Sequence, residues 1–433
     1  EIYRAHSLSW FPEGSHIALV SGNPFWGLGN QAPSSIWVVP VTDGEPIPMI
    51  ENGAMNISPV LSPEGTNLFF VSDVDGKRDV HYLPLTDSGT AVGMSKRLTT
   101  GLNASTISLS GDGNSLAYSV YTYKQNIWSV GITKGEPVLV SNAKQVTTGN
   151  QVIEGIDVSS DGEWIAFDSN LTGNPDIYRM NLSNGERERL TMHPADDFLP
   201  SWSQDNQQIV FYSFRTGNRD IFTMTADGRT KLQLTNDPGA DHYPDWSPDG
   251  ENVVFQSDRT GRYELYILSK EISSSGWSSP EQLTFDGGVF GKWSPDGSLI
   301  AFNSGTDRYS GQQQGEESIK VIPPGGGDSD KLVSTEDRSV FPAPLYPSWS
   351  KDSRTIYFKA RDEKRQASFW SVPVEGGTPT QLVIFDDPSR NSFRQEYATD
   401  GQRFFFTLTE NESDISLLEL RLVLWVSIYF LRP

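Results

Sequence analysis

Residues 245–255 read DWSPDGENVVF, and the same eleven-residue form recurs eight more times along the chain. The other copies are SWFPEGSHIAL from Ser9, VLSPEGTNLFF from Val60, SLSGDGNSLAY from Ser108 and DVSSDGEWIAF from Asp157. SWSQDNQQIVF from Ser201, KWSPDGSLIAF from Lys292, SWSKDSRTIYF from Ser348 and EYATDGQRFFF from Glu396 complete the set. Successive starts lie 51, 48, 49, 44, 44, 47, 56 and 48 residues apart. That interval accommodates one four-stranded blade per repeat, so periodicity rather than any local motif decides the fold class.

Each part of the unit has a physical reason. A short apolar strand ends in Trp, as at Trp202, Trp246, Trp293 and Trp349. Ser-Pro-Asp-Gly then forms a type I turn, with proline fixing φ and glycine taking the left-handed position at the exit. Asn206 replaces that glycine in one copy, and Asn tolerates the conformation; Ser353 replaces it in another, which predicts strain or a different turn. The next strand, of the type Ile-x-Phe, is apolar enough to lie between blades. Downstream come a second turn and a third strand (NLTGNPDIYRM from Asn170, FRTGNRDIFTM from Phe214, DRTGRYELYIL from Asp258). A fourth strand then closes on Leu-Thr at 98–99, 190–191, 234–235 and 283–284. No stretch has helical periodicity.

The expected fold is an all-β propeller of four-stranded antiparallel blades, with nine repeat units spanning residues 1–420. An even spacing across residues 140–160 favours a single ring of eight to nine blades. The alternative is a six-bladed ring from about Ile153 to Leu420 preceded by three blades of a second ring. Residues 421–433 form an apolar tail, expected as a closing strand. Its run Leu422–Leu431 is shorter than the roughly 20 residues a membrane helix needs.

These repeats resemble the TolB-like propeller repeat, a relative of the WD-type propellers, over roughly residues 7–420. The resemblance implies one of several settings. They are a periplasmic protein–protein adaptor, a gating domain of prolyl-oligopeptidase-like or tricorn-like peptidases, a propeller-fold polysaccharide lyase, or the extracytoplasmic sensor of a bacterial serine/threonine kinase or regulator. The stretches 33–37 (PSSIW) and 149–155 (GNQVIEG) are most similar to the kinase-attached type.

Composition narrows these settings. With 34 Lys+Arg against 55 Asp+Glu the net charge is −21, which argues against nucleic acid as a partner. A basic protein, a cationic ligand or a metal ion suits such a surface better. No cysteine is present, which removes disulfides and thiolate chemistry. The first residues carry neither an initiator Met nor a signal peptide, as expected of a processed chain or a segment of a longer one.

Enzyme signatures are absent: no G-x-S-x-G, no H-E-x-x-H and no phosphate loop. Gly287–Lys292 misses the phosphate-loop spacing, and Asp73–Gly76 lacks the ligands of a calcium loop. The turn acids Asp112, Asp161, Asp249, Asp296 and Asp400 are read as structural. The polar segments entering each first strand are the candidate site, because in a propeller they line one mouth of the central channel. They comprise Asn56, Asn103, Glu154, Asp196, Asp197, Asp241, His242 and Arg394. Carboxylates converging there would focus a negative field on a cation, with calcium in the channel as the possible ion. Trp26 and Trp277 fall in insertions and are read as partner contacts. The expected function is a non-catalytic recognition or sensor module outside the cytoplasm, a monomeric ring binding a protein, peptide or small ligand at the channel mouth. The alternatives are the peptidase gate and a metal-dependent lyase.

Overall fold

The computed structural model describes residues 5–22, 34–86, 89–133, 135–271, 276–307, 312–334, 344–361, 366–387, 390, 392 and 396–420, with backbone alone at 122–123, 306–307, 312–316, 361 and 411–413. Every regular element among them is a β-strand apart from one 3-10 turn at Val140–Asn142. No helix among them is long and apolar enough to cross a membrane. The chain divides into two compact units, residues 1–123 with 411–433 and residues 124–410.

In the larger unit the repeat forms the expected blade. The strands Asp241–Trp246, Asn252–Ser257, Glu264–Ser269 and Glu281–Gln282 pair in sequence order, all antiparallel. Sheets I, II, IV and V are built likewise on the inner strands Ile156–Val158, Asp197–Trp202, Val289–Trp293 and Pro344–Trp349, and the blade just described is sheet III. Sheet VI is assembled from both ends of the repeat array. Its order is Tyr397–Thr399, Arg403–Glu419, Ser115–Gly131, Lys144–Gln145. Val138–Leu139 then adds in parallel to the outer strand Thr380–Ile384 of sheet V.

The apolar faces of these sheets close into a cycle. Ala166 and Ile177 of sheet I pack on Trp202 and Ile209 of sheet II, and Val210 and Ile221 of sheet II on Trp246 and Val253 of sheet III. Val254 and Leu265 meet Trp293 and Ile300, and Ala301 and Ile319 meet Trp349 and Ile356. Phe369 of sheet V packs on Phe404 and Phe406 of sheet VI. Ile127 and Phe405 of sheet VI return to Ile165 and Phe167 of sheet I. Six sheets therefore make the ring, and the closing sheet mixes strands distant in sequence.

The smaller unit holds three sheets. The first is His6–Trp10, His16–Gly22, Ser34–Pro40 and Ile47–Ile50; the second is Asn56–Leu61, Asn67–Ser72, Asp79–Pro84 and Lys96–Arg97. The third pairs Ala104–Leu109 with the early part of Ser115–Gly131. The end of Arg403–Glu419 lies beside that strand, and the Leu420 amide donates to the Asn114 carbonyl at 2.8 Å. Phe11, Ala18 and Ile36 pack on Leu68 and Phe70, and Val71 and Val80 on Ile107, Leu116 and Leu418. Among the described residues the sheets thus fall into a set of six and a set of three, and the break between units falls inside two 17-residue strands, with no linker to mark it.

The turns behave as the repeat requires. The Gly250 amide donates to the Ser247 carbonyl at 2.9 Å with φ of 70° at Gly250. Asp249 accepts from the Ser247 hydroxyl and from the Glu251 amide. Asp112, Asp161 and Asp296 repeat the arrangement, and Asp400 holds the Gln402 and Arg403 amides. Ser353 keeps the same turn at φ 58°, so strain, not a different turn, is the outcome there. Residues 421–433 lie outside the described residues.

Candidate functional site

The inner strands carry a feature that the eleven-residue form does not include. In sheets II, III, IV and V the register slips just before the repeat begins, between Phe198 and Ser201, His242 and Asp245, Val289 and Lys292, and Leu345 and Ser348. The residue in each slip is Leu199, Tyr243, Phe290 or Tyr346, with φ of 51°, 55°, 59° and 54°. Bulky side chains rarely occupy that region, so each is a β-bulge held in place by its surroundings. The holding groups are visible. Asp168 accepts from the Leu199 amide at 3.0 Å, Gln256 from Phe290 at 2.9 Å and Asn303 from Tyr346 at 2.9 Å. Each acceptor comes from the second strand of the preceding sheet, so one blade sets the bulge of the next.

A bulge re-aims the side chain it carries. Leu199, Tyr243, Phe290, Tyr346 and Glu396 accordingly line one pocket, to which all six inner strands contribute. Glu396 belongs there because the sheet VI hairpin is tighter than the others: Thr399 pairs with Phe404 and Tyr397 with Phe406. That shift moves Glu396 from the repeat's first position to the bulge position. At the sixth corner Gly155 is required by space, since a Cβ would lie 2.7 Å from the Leu199 Cα.

The pocket floor is aromatic with one acid. Phe290 stacks on Tyr346 at 4.0 Å between centroids, and Tyr243 meets Phe290 edge-on at 4.7 Å. The Tyr243 hydroxyl donates to Glu396 Oε1 at 2.9 Å, the Tyr346 hydroxyl lies 3.3 Å from the same oxygen, and the two hydroxyls are 3.0 Å apart. One step along the axis, Lys292 Nζ reaches Asp245 at 2.7 Å. Burial alone lowers the Lys292 ammonium, but Asp245 and Asp157 outweigh it and the net direction is up. Burial pushes the Asp157 carboxyl up to about 6, against the pull of Lys292 and of the Trp202 amide. Two carboxylates, Asp245 and Asp157, therefore act on the one ammonium of Lys292.

The residues expected to form the site are placed elsewhere. Asp197 and Asp241 do not converge on an open channel. Each is fully buried and held by both carboxylate oxygens on an arginine of its own blade, Arg215 at 2.8 Å and Arg259 at 2.9 Å. Those arginines lie over Phe222 and Tyr266, which fixes the pairs further. His242 is buried, with Nε2 2.9 Å from Gln256, and burial holds its pKa well below the ordinary value. Glu154 gives its amide to Asp168, and the Asp196 carbonyl accepts from the Phe214 amide. Asn56 is buried on Ser34, Asn52 and Ala54, and Asn103 accepts from Arg78. Trp277 packs beside Trp246 with Lys270 over both rings. Arg394 and Trp26 lie outside the described residues. Among the described residues no three His, Asp or Glu side chains gather as a metal ion would require.

A second set of acids is structural and was not singled out by sequence. Asp79, Asp176, Asp220 and Glu264 open their third strands and are buried. Each accepts from the Thr of the Leu-Thr pair that ends the blade: Thr99, Thr191, Thr235 and Thr284.

Comparison with known proteins supports the fold. Residues 141–314 match the TolB beta propeller domain family. A curated protein of Agrobacterium fabrum is 29% identical over 199 residues, covering 44% of this chain and 60% of that protein. The chain thus matches three fifths of the length of that relative. A solved TolB-like protein from Agrobacterium tumefaciens superposes with a TM-score of 0.51 at 17% identity, covering 67% of this chain and 99% of that one. TolB from Acinetobacter baumannii gives 0.46 at 19% identity over 78% and 79% of the two chains. The chain thus has a β-propeller fold, and the residues that match the TolB beta propeller domain family, 141–314, lie in the six-sheet ring.

Proposed function

We propose that the six-sheet ring is a non-catalytic recognition module that takes a cationic group of a protein segment or small ligand at the axial pocket. The observation carrying this reading is the meeting of Tyr243, Phe290 and Tyr346, each on a different inner strand, with Glu396, which immediately precedes a fourth. Aromatic faces and a carboxylate together favour an ammonium or guanidinium over a neutral or anionic group. The location outside the cytoplasm that the repeat resemblance implies belongs to the same reading.

The test is calorimetric titration with N-acetyl-lysinamide and with its neutral norleucine counterpart. The cationic probe should bind the ring more tightly than the neutral one. Glu396→Gln should remove most of that preference, a loss of about tenfold for one charge-assisted contact. Equal binding of the two probes would overturn the cationic specificity, and turnover of a bound peptide or oligosaccharide would overturn the non-catalytic role.

A further inference from the structure

The other arginines of sheets II and III are neutralised within their own blades. Arg215 lies on Asp197, Arg229 on Asp227, Arg259 on Asp241 and Arg262 on Glu264. Arg219 differs. Among the described residues its side chain has no carboxylate and no hydrogen-bond partner, and its Nε is buried without an acceptor. The half-buried side chain instead stacks its guanidinium over the Phe214 ring, 5.3 Å from the centroid.

The smaller unit shows the same place with its donor satisfied. The Arg78 carbonyl accepts from the Ala104 amide and the Arg219 carbonyl from the Asp241 amide, both at 2.9 Å, so the two arginines occupy matching positions before a new inner strand. Arg78 Nε donates to the side chain of Asn103, the residue before Ala104, at 3.1 Å. The residue before Asp241 is Ala240, whose methyl group offers no acceptor. A buried N–H left without a partner is unfavourable, and an acceptor brought by a ligand would remove that cost on binding.

Arg219 also stands beside the axial pocket. Burial first, and then the Arg219 charge, hold the His242 imidazole well below its ordinary value, which marks guanidinium and ring as neighbours. The His242 ring is 5.1 Å from Tyr243, whose hydroxyl donates to Glu396 at 2.9 Å. On the other side Phe214 meets Phe198 edge-on at 6.3 Å, and the residue after Phe198 is the pocket residue Leu199. A short aromatic surface thus runs from a carboxylate to a guanidinium, within reach of a few extended residues at about 3.4 Å each.

We propose that Arg219 takes a carboxylate of the ligand whose cationic group enters the axial pocket, an assignment that rests on the cationic reading of that pocket. The planar fork of a guanidinium matches a carboxylate, and Phe214 holds the fork in one orientation. The ring then selects a short zwitterionic segment, with its base at Glu396 and its acid at Arg219. The overall charge of −21 gives this assignment a distinctive sign. Such a field favours the more cationic of two ligands, so a ligand that gains from an added carboxylate has met a local cation.

Calorimetric titration of the full chain tests it with three peptides. They are N-acetyl-lysyl-glycyl-glycine with a free terminus, the same peptide amidated, and an amidated N-acetyl-lysyl-glycyl-glutamate. Each has a norleucine counterpart. A peptide with a carboxylate should bind about tenfold tighter than the amidated glycine peptide. Which of the two carboxylates gains distinguishes a chain terminus from an acidic side chain. Arg219→Gln should bring all three within about twofold of one another, with an unchanged circular-dichroism spectrum, since its side chain contributes only the stacking on Phe214. Glu396→Gln should weaken every lysine peptide and leave the carboxylate preference in place. Equal binding of lysine and norleucine peptides would overturn the cation seat and the zwitterionic ligand with it, even where the carboxylate preference held. An amidated glycine peptide that binds as tightly as both carboxylate peptides, or a preference that survives Arg219→Gln, would overturn the role of Arg219.

Discussion

Asp245 joins three sheets of the ring, so its removal should expose how much the axial carboxylates contribute to stability. One oxygen accepts from the Trp293 amide at 2.9 Å; the other accepts from Lys292 Nζ at 2.7 Å and from the Ser201 hydroxyl at 3.0 Å. Asp245→Ala leaves a buried amide, a hydroxyl and an ammonium without this acceptor. A broken buried ion pair costs about 3–5 kcal/mol, and an orphaned buried donor about 1–3 kcal/mol. The Lys292 side chain is 38% exposed and recovers part of its loss in water, which brings the expected cost to about 3 kcal/mol. Asp245→Asn keeps one acceptor oxygen and should cost about half as much. The turn acid Asp249, on the same blade but bonded only within its turn, should cost about 1 kcal/mol when changed to Ala. Thermal melting with hydrogen exchange at the Val289–Trp293 strand locates the loss in the ring, a drop of about 5 °C for Asp245→Ala. Melting of Asp245→Ala within about 1 °C of wild type, or a larger cost for Asp249→Ala, would rule out this role for the carboxylate.

Two further substitutions probe other parts of the frame. Asp176→Ala strands Thr191 and Arg189, which reach the carboxylate at 3.1 and 2.5 Å, and should destabilise sheet I by about 2 kcal/mol in urea melts, with Thr191→Val costing less. Gly155→Ala drives a Cβ into the Leu199 backbone and should lower stability by about 1–3 kcal/mol, read by the same melts, while also weakening binding at the axial pocket.

The fold was legible because each copy of the repeat repeats one local solution: Ser and Asp fix the turn, and Trp and Ile-x-Phe fix the faces. The break between units was not legible, since a strand that changes partners along its length has no composition of its own. The acids at 197 and 241 were misread for want of their partners. A signal existed: Asp197 and Asp241 are each followed 18 residues later by Arg215 and Arg259, whereas the matching positions of sheet I are Ile153 and Leu171. Acid and arginine come and go together, as a pair does. The pocket residues lie two places before the repeat's first residue, at 199, 243, 290 and 346. An extended strand alternates its faces, and only the bulge brings that place to the axis; no rule of alternation could show it. Glu396 was hidden by the shorter sheet VI hairpin, which shifts its register by two against the eleven-residue form.

The pH dependence of stability follows from two groups of opposite sign. Burial raises Asp157 to about 6, and burial with the Glu154 carboxylate raises Asp168 to about 7, against their amide donors. Unfolded, both titrate near 3.9. Between about pH 4 and about pH 7 the folded chain therefore holds protons that the unfolded chain has lost, and these two groups make stability fall as pH rises. His242 acts the other way. Burial holds it well below 6.5, so below that value the unfolded chain takes up a proton the folded one refuses, and stability rises with pH. His81 in the smaller unit has the same sign. Burial raises Asp176, Asp196 and Asp241 too, and these add to the falling contribution. Single substitutions uncover the hidden slopes. Asp157→Asn removes one falling contribution, so its stability relative to wild type should climb as pH rises, by up to about 1.4 kcal/mol per pH unit. His242→Gln keeps a polar partner for Gln256 and should show the reverse trend below about pH 6.5. Urea melts at half-unit steps read both. Profiles for the two variants that run parallel to wild type would mean that neither group changes its proton affinity on folding, and that the axial charges are solvated as they would be on an open surface.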